Sequence, residues 1–322
     1  MTAQEGKLRR QDSARRVALA SAALLAVGYL LLCQVRRSDL NVSDRQIGIR
    51  VRNTATLPGI GAGQGLTTLE GRVLAYGDAE TGVILDLGPC CEVLPKFSPS
   101  VHRRIELTVD GRDVVPHPTG LAIQPGHPTF LGNTVGGAGT ILTIDLPRAL
   151  GQGTLDGSIR NSCVDDLAVN GCRPEYVRFG TRWLVATADY GRERNAIRLY
   201  DPDRLIEAER TSDPGVLVAE FPCGPWVQSI EWIEDTHQLV LVQNQVAGQL
   251  YRLSYCRFTG SQLRVSSVVD LDNPRDELEG FVMTGHDSGF MLSSSGASNF
   301  RSIQVDDSRG KLVQVPAENQ SP

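Results

Sequence analysis

The feature that most constrains the fold is an internal repeat, because the chain matches itself five times at a spacing of about 50 to 56 residues. Each unit has a short apolar run, a turn containing Gly or Asp, a second apolar run ending in small polar residues, and a third run of alternating apolar positions. The units begin at Gly63, Pro118, Pro174, Val227 and Leu278. This period is typical of a propeller. The sequence therefore predicts an all-β fold, a β-propeller of about five four-stranded blades over residues 61–322.

The blade count has an alternative. Six blades are expected if residues 40–60 and the insert at 88–104 supply a further blade. Residues 36–60 are otherwise predicted to be a juxtamembrane linker. Its run IGIRV, Ile47–Val51, is expected to close the ring by pairing with the last blade, which would remove exposed strand edges.

An uncharged apolar run at residues 17–35 predicts a transmembrane anchor. As a helix it would be about 28 Å long, close to the hydrocarbon thickness of a bilayer. The preceding tail, residues 1–16, carries five Lys or Arg side chains, which predicts a cytoplasmic N-terminus and a propeller outside the cytoplasm. A cleaved signal peptide is the alternative, although a typical small-residue cleavage site is hard to find after the run.

Charge and cysteine content agree with an exported domain. The net charge of −5 provides no basic surface for nucleic acid. Six cysteines lie outside the apolar run, and an even number in an exported chain favours disulfides. Cys163 and Cys172 bracket a short loop and form the best candidate pair. Buried free thiols are the alternative for all six.

Two sets of polar residues recur at matching positions of the repeats. The start of the first strand carries Gln64, Thr119, Glu175, Gln228 and Glu279. The end of the second strand carries Asp78, Asn133, Asp189, Asn244 and the serines Ser293–Ser295. Because these strand ends line one mouth of a propeller channel, the two sets predict a polar site on the axis.

This polar site has three interpretations. Convergent carboxylates and amides suit a hard cation such as Ca²⁺, which takes six to eight oxygen ligands. The same groups could bind the hydroxyls of a polyol. Alternatively, they hydrogen-bond backbone amides and channel water, with no ligand at all.

The blade pattern PTGLAI…TFLGNT…TILTIDL resembles that of the gluconolactonase/regucalcin and strictosidine-synthase-like propellers. This resemblance implies an axial calcium ion and hydrolysis of lactones or esters. By position, the implied calcium ligands are Asn133, Glu175, Asp189, Asn244 and Glu279. Those families usually have six blades, whereas five are counted in this chain.

Catalytic and ligand-binding candidates follow from the same register. His117, at the mouth of the second blade, is the histidine best placed for acid–base work, together with Glu175 and Glu279. The ligand-binding candidates are Gln64, Asp78, Thr119, Gln228 and Trp226, and Trp226 would stack on a sugar or an aromatic group.

The sequence thus predicts a membrane-anchored, extracytoplasmic propeller that hydrolyses a small lactone or ester with the help of Ca²⁺. A propeller that binds a ligand or an envelope protein without catalysis is the main alternative. A glycosidase using Glu175 and Glu279 as its carboxylate pair is the third.

Overall fold

The computed structural model describes residues 48–90, 99–192, 195–244, 250–272 and 276–306. It contains five separate four-stranded antiparallel sheets, each with one innermost and one outermost strand. Five blades, rather than six, are therefore present. The predicted anchor at 17–35 lies outside the described residues. Within the described ranges, no helix is long and apolar enough to cross a membrane.

The strands follow the chain in blade order after β1 (Gly48–Ala55). Blade 1 consists of β2 (Ala62–Leu69), β3 (Arg72–Asp78), β4 (Gly82–Pro89) and β5 (Arg103–Glu106), and a small ribbon of β6 (Thr108–Val109) and β7 (Arg112–Asp113) follows it. Blade 2 consists of β8 (Pro118–Ala122), β9 (Thr129–Val135), β10 (Ala138–Ile144) and β11 (Ile159–Asp165). Blade 3 consists of β12 (Glu175–Phe179), β13 (Arg182–Ala188), β14 (Ala196–Tyr200) and β15 (Leu217–Pro222).

The last two blades complete the ring. Blade 4 consists of β16 (Val227–Ile233), β17 (Gln238–Asn244), β18 (Leu250–Thr259) and β19 (Gln262–Asp272), with a 3₁₀ turn at Glu234–Thr236. Blade 5 consists of β20 (Leu278–Met283), β21 (Ser288–Ser293), β22 (Phe300–Asp306) and, as its outermost strand, β1. Two short helices follow the third strands of blades 2 and 3: α1 (Leu146–Gln152) and α2 (Pro202–Leu205).

Strand β1 closes the propeller. It pairs antiparallel with β22 from Gly48 opposite Asp306 to Ala55 opposite Phe300, so the last blade is completed by a strand from the beginning of the domain. This confirms the prediction made for the IGIRV run. The run KLVQV, at 311–315, is also predicted from the sequence to be an outer strand, and it lies outside the described residues.

Tight turns join neighbouring strands of a blade where the sequence offers glycine. Glu70 and Gly71 both adopt positive φ, 49° and 76°, between β2 and β3. Gly136 and Gly137 do so between β9 and β10, at 59° and 86°. Two consecutive positive φ values match the twist of a two-residue hairpin, which explains why glycine stands there.

The core lies between neighbouring blades. Between blades 5 and 1, Phe290 and Phe300 stack with ring centroids 5.1 Å apart and pack with Leu66 and Val83. Buried side chains of this size contribute about 1.5–3 kcal/mol each. The interblade packing holds the inner strands in fixed positions around the axis, and the functional candidates are on those strands.

The predicted disulfide is wrong for this structure. Cys163 and Cys172 are both free and buried. The Cys172 thiol donates to the Thr140 carbonyl oxygen at 3.4 Å, whereas the Cys163 thiol contacts the Val164 carbonyl oxygen at 3.8 Å. Both thiols pack in one apolar cluster between blades 2 and 3. They therefore behave as small core side chains rather than as a covalent link.

Candidate functional site

A β-bulge marks the channel end of the inner strand in four blades. At each bulge one residue has no partner on the second strand, and the register of the ladder shifts around it. The four bulge residues are Gln64, Thr119, Gln228 and Glu279. A bulge changes the direction of its side chain relative to the ladder. Gln228 and Glu279 meet directly across two blades, with Gln228 Nε2 at 3.3 Å from Glu279 Oε1.

In blade 3 the side chain that reaches this ring comes from Arg173, not from Glu175. Glu175 pairs with Ala186 as Ser229 pairs with Val242, so the ladder counterpart of Gln228 is Pro174. Arg173 lies one residue earlier, and its Nε donates to the Gln228 carbonyl oxygen. We call Gln64, Thr119, Arg173, Gln228 and Glu279 the channel ring.

Sequence reasoning missed Arg173 because the repeats were matched by their prolines. Pro118 immediately precedes the bulge residue of blade 2, whereas Pro174 immediately follows Arg173. Counting back from the two-residue hairpin turns at 70–71 and 180–181 aligns Pro174 with Gln64, and this signal would have shown that Glu175 lies one residue away from the ring position.

Arg173 is a buried cation, with only 4% of its surface exposed. Its Nε donates to the Gln228 carbonyl oxygen at 2.8 Å, and its Nη1 lies 3.5 Å from the Ala188 carbonyl oxygen. The guanidinium lies 5.1 Å from the ring centroid of Tyr190, within cation–π range. Burial lowers the pKa of Arg173.

The buried Glu279 side chain lies next to the exposed carboxyl group of Glu277. The Glu279 carboxyl group is hydrogen-bonded to that of Glu277 at the rim. Gln228 Nε2 donates to both, at 3.0 Å to Glu277 Oε2 and 3.3 Å to Glu279 Oε1. Burial, followed by the negative charge of Glu277, raises the pKa of Glu279 well above its usual range. Glu279 therefore carries a proton at a pH where an exposed glutamate is ionised.

His117 and Asp78 form a dyad at the same mouth. His117 Nδ1 lies 3.1 Å from Asp78 Oδ2, and Gln64 Nε2 lies 3.4 Å from the same oxygen. The charge of Asp78 contributes to the raised pKa of Glu279, which puts the two carboxyl groups within electrostatic range of each other. The His117 side chain is 39% exposed, so its ring remains open to solvent.

Two further glutamates lie below the channel ring. Burial raises the pKa of both Glu175 and Glu231, and for Glu175 the charge of Glu231 adds to this effect. Glu175 Oε1 accepts from the Tyr176 backbone N–H, and Glu231 Oε1 accepts from that of Met283. Sequence reasoning did not select Glu231, because it falls within an ordinary strand pattern.

Three residues of the second predicted set, Asp189, Asn244 and Asn133, have a structural role. Asp189 accepts from the backbone N–H of Val169 and of Ala196 and from Arg198 Nη1, at 2.7, 2.9 and 2.7 Å. Asn244 Oδ1 accepts from the Leu278 N–H at 3.1 Å.

Asn133 and Thr119 behave in the same way. Asn133 Oδ1 accepts from the His117 N–H at 3.3 Å, and the Thr119 hydroxyl donates to the Cys172 carbonyl oxygen at 2.5 Å. These polar side chains hold the segments that lead from one blade to the next.

The described residues do not fit an axial calcium ion. Nowhere among them do three or more His, Cys, Asp or Glu side chains come close enough to hold a metal. Of the five predicted ligands, Asn133, Asp189 and Asn244 are bound to backbone groups. Glu175 and Glu279 are left, and each has a second glutamate as its neighbour rather than the other.

Trp226 and Tyr190 form one side of the mouth. Their rings meet edge to face with centroids 5.3 Å apart, and Tyr190 in turn stacks on Arg173. Trp226 adopts a left-handed φ of 60°. Its backbone N–H donates to the Gly191 carbonyl oxygen, and its carbonyl oxygen accepts from the Asn244 backbone N–H. Such strain in a bulky residue costs of order 1–3 kcal/mol and often occurs at ligand sites.

Comparisons with known proteins identify the fold. No protein-family model and no curated protein matches the chain. Among solved structures, it is similar to the glutaminyl cyclase of Myxococcus xanthus, at 13% identity and a TM-score of 0.53, over 81% of this chain and 98% of that chain. It is also similar to the PQQ-bound aldose sugar dehydrogenase of Streptomyces coelicolor, at 12% identity and a TM-score of 0.48, over 81% and 99%.

A propeller assigned as a gluconolactonase is similar too, at 12% identity and a TM-score of 0.41, over 82% of this chain and 94% of that chain. The predicted resemblance to gluconolactonase-like propellers is thus found again as a likeness of fold.

Proposed function

We propose that this protein is a hydrolase for small esters or lactones, acting at the channel mouth with an acid and a base supplied by its own side chains. The observation that carries the proposal is the pairing of a buried, protonated Glu279 with the His117–Asp78 dyad at one mouth. Acid–base catalysis needs two groups with different protonation states at one pH, and these environments supply them.

The roles follow from the hydrogen bonds. Asp78 Oδ2 accepts from Nδ1 of His117, which leaves Nε2 free to take a proton from water. The resulting hydroxide attacks the carbonyl carbon, and the tetrahedral adduct breaks its bond to the leaving oxygen. Glu279 donates a proton to that oxygen, and the proton held on His117 returns to Glu279 through water. No net charge accumulates over the cycle.

The test measures hydrolysis of a panel of aliphatic lactones and p-nitrophenyl esters at neutral pH. We expect Glu279→Gln to lower kcat/KM at least about 100-fold, because a general acid contributes about 10²–10⁴-fold. His117→Asn should cause a similar loss. The exposed Glu234→Gln, on the 3₁₀ turn of blade 4, is the control. Normal turnover in Glu279→Gln would contradict the proposal.

Three further measurements separate the alternatives. Binding of a lactone without turnover by the wild-type protein would favour a ligand-binding propeller. Turnover of p-nitrophenyl glycosides, lost in both Glu175→Gln and Glu279→Gln, would favour a glycosidase. A melting temperature raised by Ca²⁺ and lowered by a chelator would restore the predicted calcium site.

We propose in addition that the propeller is displayed outside the cytoplasm by the apolar segment at 17–35. The basic tail before this segment supports that orientation. A periplasm-dependent reporter fused to the C-terminus should be active, and a reporter active only in the cytoplasm would contradict the orientation. Washing membranes with carbonate distinguishes a retained anchor from a cleaved signal.

A further inference from the structure

We propose that Arg173 binds an anionic group of the substrate, so that the preferred ester or lactone carries a carboxylate. The substrate preference rests on the proposed function, whereas the binding of an anion at Arg173 does not depend on it. The first observation is the charge of the channel ring. Of its five residues, all within the described ranges, Arg173 is the one cation, and the other four are neutral or acidic.

The guanidinium is held without being neutralised. No carboxylate among the described residues lies within 4 Å of it, and its two hydrogen bonds go to backbone carbonyl oxygens. Other buried or half-buried arginines do face carboxylates. Arg198 Nη1 lies 2.7 Å from Asp189 Oδ1, and Arg252 Nε lies 2.7 Å from Asp270 Oδ1. A buried charge without a partner is costly, which makes it unusual as a purely structural feature.

The remaining donors of Arg173 fit a carboxylate. Nε and Nη1 are used by Gln228 and Ala188, and Nη2 makes no hydrogen bond to any residue in the described ranges. Tyr190 lies against the guanidinium and fixes its plane while leaving its edge available. An arginine edge with free N–H groups is the geometry that carboxylates select.

The neighbouring carboxyl group does not replace the missing anion. Glu279 is near enough for the charge of Arg173 to lower its pKa, yet the net pKa of Glu279 remains well above its usual range. Glu279 is hydrogen-bonded to Glu277 and Gln228 instead. With Glu279 protonated, the positive charge of Arg173 is available to a ligand that reaches the ring through the mouth.

The direct test compares two probes that differ in charge, γ-butyrolactone and 5-oxotetrahydrofuran-2-carboxylate. We expect the wild-type protein to prefer the carboxylate in kcat/KM by about tenfold or more, since hydrogen bonds to charged groups are the stronger class. Arg173→Gln should remove the preference by raising KM for the carboxylate-bearing lactone. Arg178→Gln, the same charge change at an exposed site on β12, is the control.

A binding experiment keeps the inference separate from the hydrolase proposal. Titration calorimetry with butyrate and with butyramide should show binding of the anion alone, weakened about tenfold in Arg173→Gln and partly restored in Arg173→Lys. Anion binding without any hydrolysis would uphold this inference and contradict the hydrolase. Hydrolysis with no charge preference would do the reverse. Circular dichroism melts of each variant show whether it is folded, and equal affinity for butyrate in folded Arg173→Gln would overturn the inference.

Discussion

Two groups of buried carboxylates in this propeller differ in what surrounds them. Between blades 2 and 3, Asp189 is bound by Arg198 and two backbone N–H groups. Nearby, Asp165 accepts from the Tyr200 and Thr211 hydroxyls at 2.7 and 2.8 Å. Every acceptor of this interblade network is used, and it ties loops and strands of two blades together.

The carboxyl groups of the channel have a different environment. Glu175, Glu231 and Glu279 are enclosed by protein, and for Glu175 and Glu279 the largest charge effect on the pKa comes from another glutamate rather than from a cation. Their pKa values are raised because burial disfavours the charged form. Burial also raises the pKa of Asp165, but the hydrogen bonds from Tyr200 and Thr211 and the charge of Arg198 oppose this effect. The interblade carboxyl groups thus tie the fold together, whereas those of the channel hold protons ready for chemistry.

The largest effect is expected in the interblade network. Asp189→Ala should lower the free energy of unfolding by about 3–5 kcal/mol, because it leaves Arg198 buried beside two unsatisfied N–H groups. Urea denaturation measures this change. Glu220→Gln is the matched control, since Glu220 bonds the same arginine from an exposed position, and we expect it to cost about 0–1 kcal/mol. Similar costs for both variants would remove the distinction between the two groups.

The channel glutamates should lower the stability of the fold as the pH rises, which is opposite to ordinary acid denaturation. Its glutamates have folded pKa values above the unfolded value of 4.5. Their contribution to stability is complete below pH 4.5 and is lost as the pH rises through the folded pKa values. We expect the triple variant Glu175→Gln, Glu231→Gln and Glu279→Gln to melt about 2–4 °C or more above the wild type at pH 8.

Thermal melts of both proteins between pH 4.5 and 9 provide the comparison. The difference between variant and wild type should shrink towards pH 4.5, where the wild-type side chains are also neutral. A constant difference across the range would mean that the glutamates titrate normally, and the assignment of Glu279 as a proton donor would then fail.

The sequence predicted the architecture better than the site. Five blades and the closing strand followed from periodicity, because strand alternation and glycine turns are local properties. The channel ring depended on register, and matching the prolines put Glu175 one residue away from the ring position, which Pro174 occupies beside Arg173. Asp189 and Asn244 looked like ligands because a polar residue at a strand end is equally suited to a metal or a backbone amide. Only three-dimensional contacts distinguish the two.

The smallest effect concerns the thiols beside the interblade network. Cys163 lies two residues before Asp165 and Cys172 is fully buried, and burial raises the pKa of Cys163 to about 12. A thiolate is the reactive form, so native protein at pH 8 should resist iodoacetamide at both positions. After unfolding, mass spectrometry should find both alkylated, and a reductant should leave the melting temperature unchanged within about 1 °C, because there is no crosslink whose loss would cost stability. If the two cysteines stay unmodified in the unfolded protein until a reductant is added, the predicted disulfide would be restored. This region would then be joined covalently as well as by its hydrogen bonds and ion pairs.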